Sequence, residues 1–155
     1  MEYLSTEKIL IVDLNSGDVS EEELEEELVL KYIGGAGIAK YLYETYAQEE
    51  PVVLSTGLLT GTLCPGSSGG AITAKNPSSG KISHAPVNLK VATELKYAGF
   101  DYVVIKGVSD KPVFLWLHDG VADLNDASNV WGSNTWQTTD TWRQELGEDV
   151  IQTIL

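Results

Sequence analysis

A glycine-rich stretch at residues 57–70, GLLTGTLCPGSSGG, is the part of the sequence best suited to hold a ligand. It contains five glycines and four hydroxyl side chains between two apolar runs typical of strands. Backbone N–H groups without bulky neighbours can approach an anion such as a phosphate. The stretch does not match the motif G-x-x-x-x-G-K-[ST], and GGAGIA at 34–39 follows a helical segment, unlike a dinucleotide fingerprint. Two interpretations therefore stay open, an anion-binding loop and a set of tight turns.

Other side chains with chemical potential are isolated in the sequence. His84 and His118 have no cysteine or carboxylate at the spacing of metal ligands, so no metal site is predicted. Cys64 is the only cysteine, which excludes an internal disulfide and a thiolate-bound iron–sulfur cluster. It has no base nearby in the sequence and is interpreted as an inert thiol. Single carboxylates beside turns, such as Asp101, are typical of caps, and no catalytic residue is predicted.

The composition limits the class of protein. The chain has 155 residues and a net charge of −13, which suits one domain over residues 1–155 and repels nucleic acid and anionic membrane surfaces. No apolar run approaches the length of about 20 residues that a membrane span needs. No signal segment is recognised at the N-terminus. We expect a soluble, cytoplasmic protein with neither nucleic acid nor a membrane as partner.

The chain alternates between strand and helix patterns, which predicts an α+β fold with two related halves. A hairpin is predicted with its turn at Asn15–Asp18 and a second strand from Val19. A helix is predicted from Ser20, where Glu23 would complete a capping box, to a break at Gly34 and Gly35. The last helix is predicted to begin at a cap formed by Thr138 or Thr139. Strands are predicted near residues 9–14, 51–56, 71–75, 102–106 and 112–117.

Five segments, taken in order, resemble one known family. They are VDLNSGDV, YIGGAGIAKYLY, GLLTGTLCPGS, ELKYAGFDYVVIKGVSDKPVFLWL and DASNVWGSNTWQTTDTWRQEL, which fall between residues 8 and 151. In this order they resemble the N-terminal domain of the tungsten-containing aldehyde ferredoxin oxidoreductase family. Each segment is modest evidence, but five in register are specific.

The resemblance implies a fold and a purpose for the glycine-rich stretch. Members of the family have an α+β domain of two similar β-rich halves with packed helices, and it supports tungsten or molybdenum held by two pterins. The pterin phosphates would meet backbone donors at residues 67–71 and 85–89. The implied cofactor-binding residues are Ser67, Ser68, Gly69, Gly70, Ala71 and Asn88.

Two departures from the family pattern leave open whether the glycine-rich stretch still binds the cofactor. Members typically carry an arginine where Gly69 stands, and an NSGG-like stretch where this chain has Pro86-Val87-Asn88-Leu89. Proline removes an N–H group and leucine adds bulk, so we expect that this chain alone does not retain the cofactor.

The helical domains that carry cluster cysteines and the substrate pocket in the family are not recognised in this sequence. One reading is the cofactor-binding part of an enzyme that oxidises aldehydes to acids, passes electrons through iron–sulfur centres to ferredoxin and is inactive without its other parts. The other is a degenerate binding or assembly module that has lost the cofactor. In either case the chain would pair with a separate chain carrying the missing domains, or with itself.

Overall fold

The computed structural model describes residues 5–87 and 90–147, and it has the predicted α+β fold. All five predicted strands are present, and a break separates two helices at Gly34 as expected. None of the helices described is both long and apolar enough to cross a bilayer. The elements are β1 (Lys8–Asp13), β2 (Asp18–Glu23), α1 (Glu26–Tyr32), α2 (Ala36–Thr45), a 3₁₀ turn (Ala47–Glu49), β3 (Val52–Thr56), β4 (Gly70–Lys75), β5 (Ile82–Val87), α3 (Lys90–Tyr97), β6 (Tyr102–Lys106), β7 (Val113–His118), β8 (Val121–Asp126) and α4 (Thr135–Leu146).

Six strands form one sheet in the order β2-β1-β6-β3-β4-β5, and β7 and β8 form a separate hairpin. Residues 8–56 and residues 70–106 each supply a hairpin, a helical segment and a third strand, in that order. The third strand of each half lies beside the hairpin of the other: β6 pairs with β1 in parallel, and β3 pairs with β4 antiparallel. The two similar halves therefore share a single sheet.

The sheet is covered on both faces because its central strands are apolar on both sides. On one face Ile9, Ile11 and Val104 pack against α1 and α2. On the other face Leu10, Val12 and Val103 pack against α3 and the inner side of the β7–β8 hairpin. Val12, Val103 and Val104 are fully buried, as expected of strands that have no face in water.

The helix predicted from Ser20 is wrong, because residues 18–23 form the edge strand β2. All six residues of β2 pair with β1, and the Lys8 ammonium lies 2.7 Å from the Glu21 carboxylate. A run of glutamates favours a helix only weakly, and the β1 ladder outweighs that preference. Charged, exposed side chains also suit a sheet edge, since they discourage pairing with another chain. The helix begins at Glu26 instead.

The predicted cap of the last helix is also wrong. Helix α4 is capped by Asn134, whose side-chain oxygen accepts a hydrogen bond from the Gln137 N–H at 2.9 Å. The Gln137 side chain in turn accepts from the Asn134 N–H at 3.2 Å. This reciprocal capping box satisfies two of the free N–H groups of the first turn. Thr138 and Thr139 lie inside the helix.

Candidate functional site

The glycine-rich loop, residues 57–69, joins β3 to β4, and hydrogen bonds of Thr60 connect its two ends. The Thr60 hydroxyl accepts from the Gly57 N–H at 2.9 Å and donates to the Gly69 carbonyl at 2.6 Å. The Gly57 N–H also reaches the Gly69 carbonyl directly, at 3.2 Å. Both ends of the loop are thus joined through one buried threonine.

The outer part of the loop is a second closed turn. The Gly61 N–H donates to the Ser67 carbonyl at 2.9 Å, and the Ser67 hydroxyl donates to the Thr62 carbonyl at the same distance. Leu63 and Cys64 lie exposed at the tip. Because these hydrogen bonds are internal, the loop has a defined shape of its own.

Helix α3 braces this loop from beneath. The Lys96 ammonium donates to the carbonyls of Gly57 at 3.2 Å and Leu58 at 3.0 Å, and the Tyr97 hydroxyl donates to the Gly61 carbonyl at 2.9 Å. Nothing in the sequence pairs a helix residue with a loop 36 to 39 positions earlier. The role of Lys96 and Tyr97 was therefore not predicted.

A pair of glycines touches the start of the loop from the other side. A Cβ at Gly34 would lie 3.3 Å from the Leu58 nitrogen, and the Gly35 N–H donates to the Thr56 carbonyl at 3.0 Å. Beneath them lies Tyr102, whose pKa is raised, chiefly by burial and further by the neighbouring Asp101 carboxylate. Its hydroxyl therefore stays protonated at neutral pH. The break between α1 and α2 thus serves close packing against the loop.

Where the structure describes them, the two segments implied to face a cofactor, residues 67–71 and 85–87, lie side by side. Strand β4 pairs with β5 so that Gly70 is opposite Val87 and Ala71 is opposite Pro86. The run from Ser67 to Ala71 leads from the loop into this ladder. Asn88, the sixth implied residue, lies outside the described residues, as does Leu89.

Neighbouring glycines in this run have different surroundings. A Cβ at Gly69 would meet nothing within 4 Å, whereas a Cβ at Gly70 would lie 2.4 Å from the Ser55 carbonyl oxygen and 2.8 Å from the Ala92 Cβ. Gly70 is therefore required where β4 packs against β3 and α3. Gly69 has no such packing role and leaves the backbone open to an approaching group.

The fit of this surface to a phosphate-bearing group can be judged from its donors. The N–H groups of Ser68 and Gly69 donate to no acceptor among the described residues, so two consecutive donors are available beside an open Cβ position. Residues 57–71 contain no lysine or arginine, and the Lys96 ammonium is bound to loop carbonyls and to Asp101. The backbone donors suit an anion, but no side chain of residues 57–71 neutralises the negative charge of that anion.

Other concave surfaces do not suit the same ligand. The space beneath the loop start, beside Lys96, has a volume of about 10 Å³, enough for one water. A groove of about 500 Å³ lies between the β7–β8 hairpin and α4, where the Phe114 and Trp142 rings are 4.3 Å apart. Its lining includes Asp123 and Glu145 but no lysine or arginine, which disfavours phosphate.

The histidines show no metal-binding arrangement. The His84 Nδ1 atom lies 2.8 Å from the Thr73 hydroxyl, and His118 lies 3.7 Å from the Asp123 carboxylate. In residues 5–87 and 90–147, no three His, Cys, Asp or Glu side chains are grouped so as to hold a metal ion.

The sequence profile of the aldehyde ferredoxin oxidoreductase N-terminal domain matches residues 9–155. The chain belongs to this family. A tungsten-containing aldehyde ferredoxin oxidoreductase from Pyrococcus furiosus is 32% identical over 153 residues, which cover 94% of this chain. An enzyme of the same description from Pyrococcus abyssi is 33% identical over 153 residues. In both cases the match covers 25% of the relative, so the chain spans about a quarter of the length of these relatives.

Two further family relatives carry other names. An aliphatic sulfonate oxidoreductase, WOR-like subunit, from Pyrococcus furiosus is 30% identical over 159 residues, which cover 96% of this chain and 25% of that protein. Among solved structures, the active site complex BamBC of benzoyl coenzyme A reductase, with bound 1,5-dienoyl-CoA, matches with a TM-score of 0.88. It is 27% identical, and the match covers 95% of this chain and 24% of that chain. This domain therefore occurs in proteins whose names give different substrates.

Proposed function

We propose that this chain is the pterin-supporting N-terminal domain of an oxidoreductase that oxidises aldehydes to acids and passes the electrons to ferredoxin. On this proposal the domain acts only in the complete enzyme, because its single cysteine cannot by itself hold an iron–sulfur cluster that would carry the electrons. The observation that carries the proposal is the pairing of the start of β4, which directly follows the glycine-rich loop, with the end of β5, because it brings the described parts of the two implied cofactor-facing segments together in one surface.

The range of relatives supports a cofactor role over a substrate role. Proteins named for aldehydes, aliphatic sulfonate and benzoyl coenzyme A share this domain. A domain common to enzymes with such different substrates supplies what they have in common, while specificity resides elsewhere. The names of the aldehyde enzymes give tungsten, and on this proposal a tungsten–pterin group is the part that these enzymes have in common.

Within the domain, the proposed division of labour follows from the loop geometry. The N–H groups of Ser68 and Gly69 would donate hydrogen bonds to a pterin phosphate, and Thr60 would keep both ends of the loop together while they do so. The bound tungsten–pterin group supplies the redox chemistry. We assign no proton transfer to this chain.

We predict that the isolated chain retains little tungsten or molybdenum, and that Gly69→Arg increases the retained amount. The open space at Gly69 accepts a side chain, and a guanidinium there supplies the missing positive charge. Hydrogen bonds to charged groups contribute about 1.5–3 kcal/mol, so the affinity for the pterin should rise about tenfold or more. The measurement is metal and pterin content after gel filtration, with protein produced in a host that makes the cofactor.

The matched control is Gly69→Ala, which adds a side chain without charge. Metal content that rises in the arginine variant and stays low in the alanine variant supports the proposal. Near-stoichiometric metal in the unchanged chain shows that Gly69 and Pro86 have no such effect. No gain in the arginine variant means that Gly69 does not face the phosphate.

A second candidate function is a non-catalytic binding or assembly module. It is favoured by Gly69 and Pro86, which depart from the family pattern, and by the exposed apolar side chains Leu63 and Leu59 on the loop. Such a module would associate through this surface with a chain that carries the other domains, or with itself. The two candidates differ in metal content of the assembled protein.

A further inference from the structure

A buried ion pair lies directly beneath the glycine-rich loop. The Lys96 ammonium is 3.3 Å from the Asp101 carboxylate, and their side chains are only 11% and 4% exposed. Lys96 also donates to the Gly57 and Leu58 carbonyls. A buried ammonium is costly unless its donors are satisfied, and here the acceptors on described residues include the Gly57 and Leu58 carbonyls and the Asp101 carboxylate.

Asp101 fixes the position of this ammonium through the surrounding chain. Its Oδ2 atom accepts from the Ser5 hydroxyl at 2.6 Å, from the Thr6 N–H at 2.6 Å and from the Glu7 N–H at 3.1 Å. Its backbone carbonyl accepts from the N–H of Thr56, the last residue of β3, at 2.9 Å. Through its carboxylate and its backbone carbonyl, Asp101 thus joins the N-terminal segment, the end of β3 and helix α3.

The contacts of Lys96 set the direction of the first peptide units of the loop. In a planar trans peptide the carbonyl and the following N–H point to opposite sides. Because the Gly57 and Leu58 carbonyls are turned toward Lys96, the N–H groups of Leu58 and Leu59 point away from it. An apolar residue at position 96 could fill the same space but would not orient these groups.

We propose that Lys96 is a positioning residue for the glycine-rich loop, and that Asp101 holds it in place. The ammonium orients the first turn of the loop, and residues 5–7 belong to its support through Asp101. This inference takes the ligand of the loop from the proposed function. The predicted effect of Lys96 on the order of the loop does not depend on that ligand.

The test is hydrogen exchange of peptides covering residues 57–62 in Lys96→Met, which removes the charge but keeps a side chain of similar length. We expect exchange in these peptides to be faster by about tenfold or more, while peptides from β1 and β6 keep their protection. Lys96→Arg keeps the charge and the ability to donate to carbonyls, and should restore slow exchange in the loop.

The outcomes separate this inference from the proposed function. Equal loop exchange in the wild type and in Lys96→Met overturns the positioning role, as does equal acceleration throughout the chain. If Lys96→Met is too unstable to purify, Lys96→Gln is measured against the same two criteria. None of these results depends on metal content, so they leave the cofactor proposal to its own test.

Discussion

Replacing Gly70 with alanine is expected to destabilise the domain strongly. The added methyl group would lie 2.4 Å from the Ser55 carbonyl oxygen, which is backbone of the neighbouring strand, and 2.8 Å from the Ala92 side chain. Neither the sheet nor helix α3 can move away without breaking other contacts. Overpacking of this kind costs typically 1–3 kcal/mol, and a clash with backbone lies at or above the upper end of that range. The measurement is the free energy of unfolding in urea.

Gly69→Ala is the control, since it lies one residue away and its added methyl group meets nothing within 4 Å. Its free energy of unfolding should stay within about 0.5 kcal/mol of the wild type. Equal losses in the two variants would contradict the assignment of Gly70 to packing and of Gly69 to an open surface.

Self-association of the isolated chain is the second large effect expected. Leu63 is fully exposed at the loop tip. Leu59 is exposed on the same loop, and Tyr97 is exposed on helix α3, which contacts the loop. Burying about 1,000 Å² with good fit suffices for a stable interface. The charge of −13 opposes contact, and salt screens it. We therefore expect the average mass in light scattering to rise with protein and salt concentration.

Leu63→Ser should shift this equilibrium toward monomer, because it removes the most exposed apolar side chain of the loop. Leu30→Ser is the matched control, since Leu30 is also exposed but lies on α1. A chain that stays monomeric under all conditions, or equal effects of the two substitutions, would contradict association through the loop surface.

The sequence predicted the strands well where burial dominates. Residues such as Val103 and Val104 are β-branched, apolar and bounded by turns, so pattern and packing agree. It also predicted the hairpin turn at Asn15–Asp18 and a paired strand from Val19, but it placed a helix from Ser20, where local preference for helix and pairing with β1 conflict. Residues 18–23 carry glutamates that no local rule assigns to a strand, and only the partner strand decides.

The sequence predicted which segment forms the candidate site, but not the roles of the individual residues in it. The glycines at 69 and 70 are indistinguishable in sequence, and only the positions of Ser55 and Ala92 show that one is required for packing. The role of Lys96 is equally unpredictable from the sequence, because its acceptors in the loop are backbone carbonyls, which any residue has. Contacts between distant segments decide both assignments.

Tungsten and pterin content of the assembled enzyme that contains this chain tests the central claim most directly. The assembly, purified without oxygen from cells supplied with tungstate, is predicted to contain tungsten and pterin in proportion to this chain. The same analysis of the isolated chain should find little of either. An assembly that contains this chain but neither tungsten nor molybdenum would contradict the account.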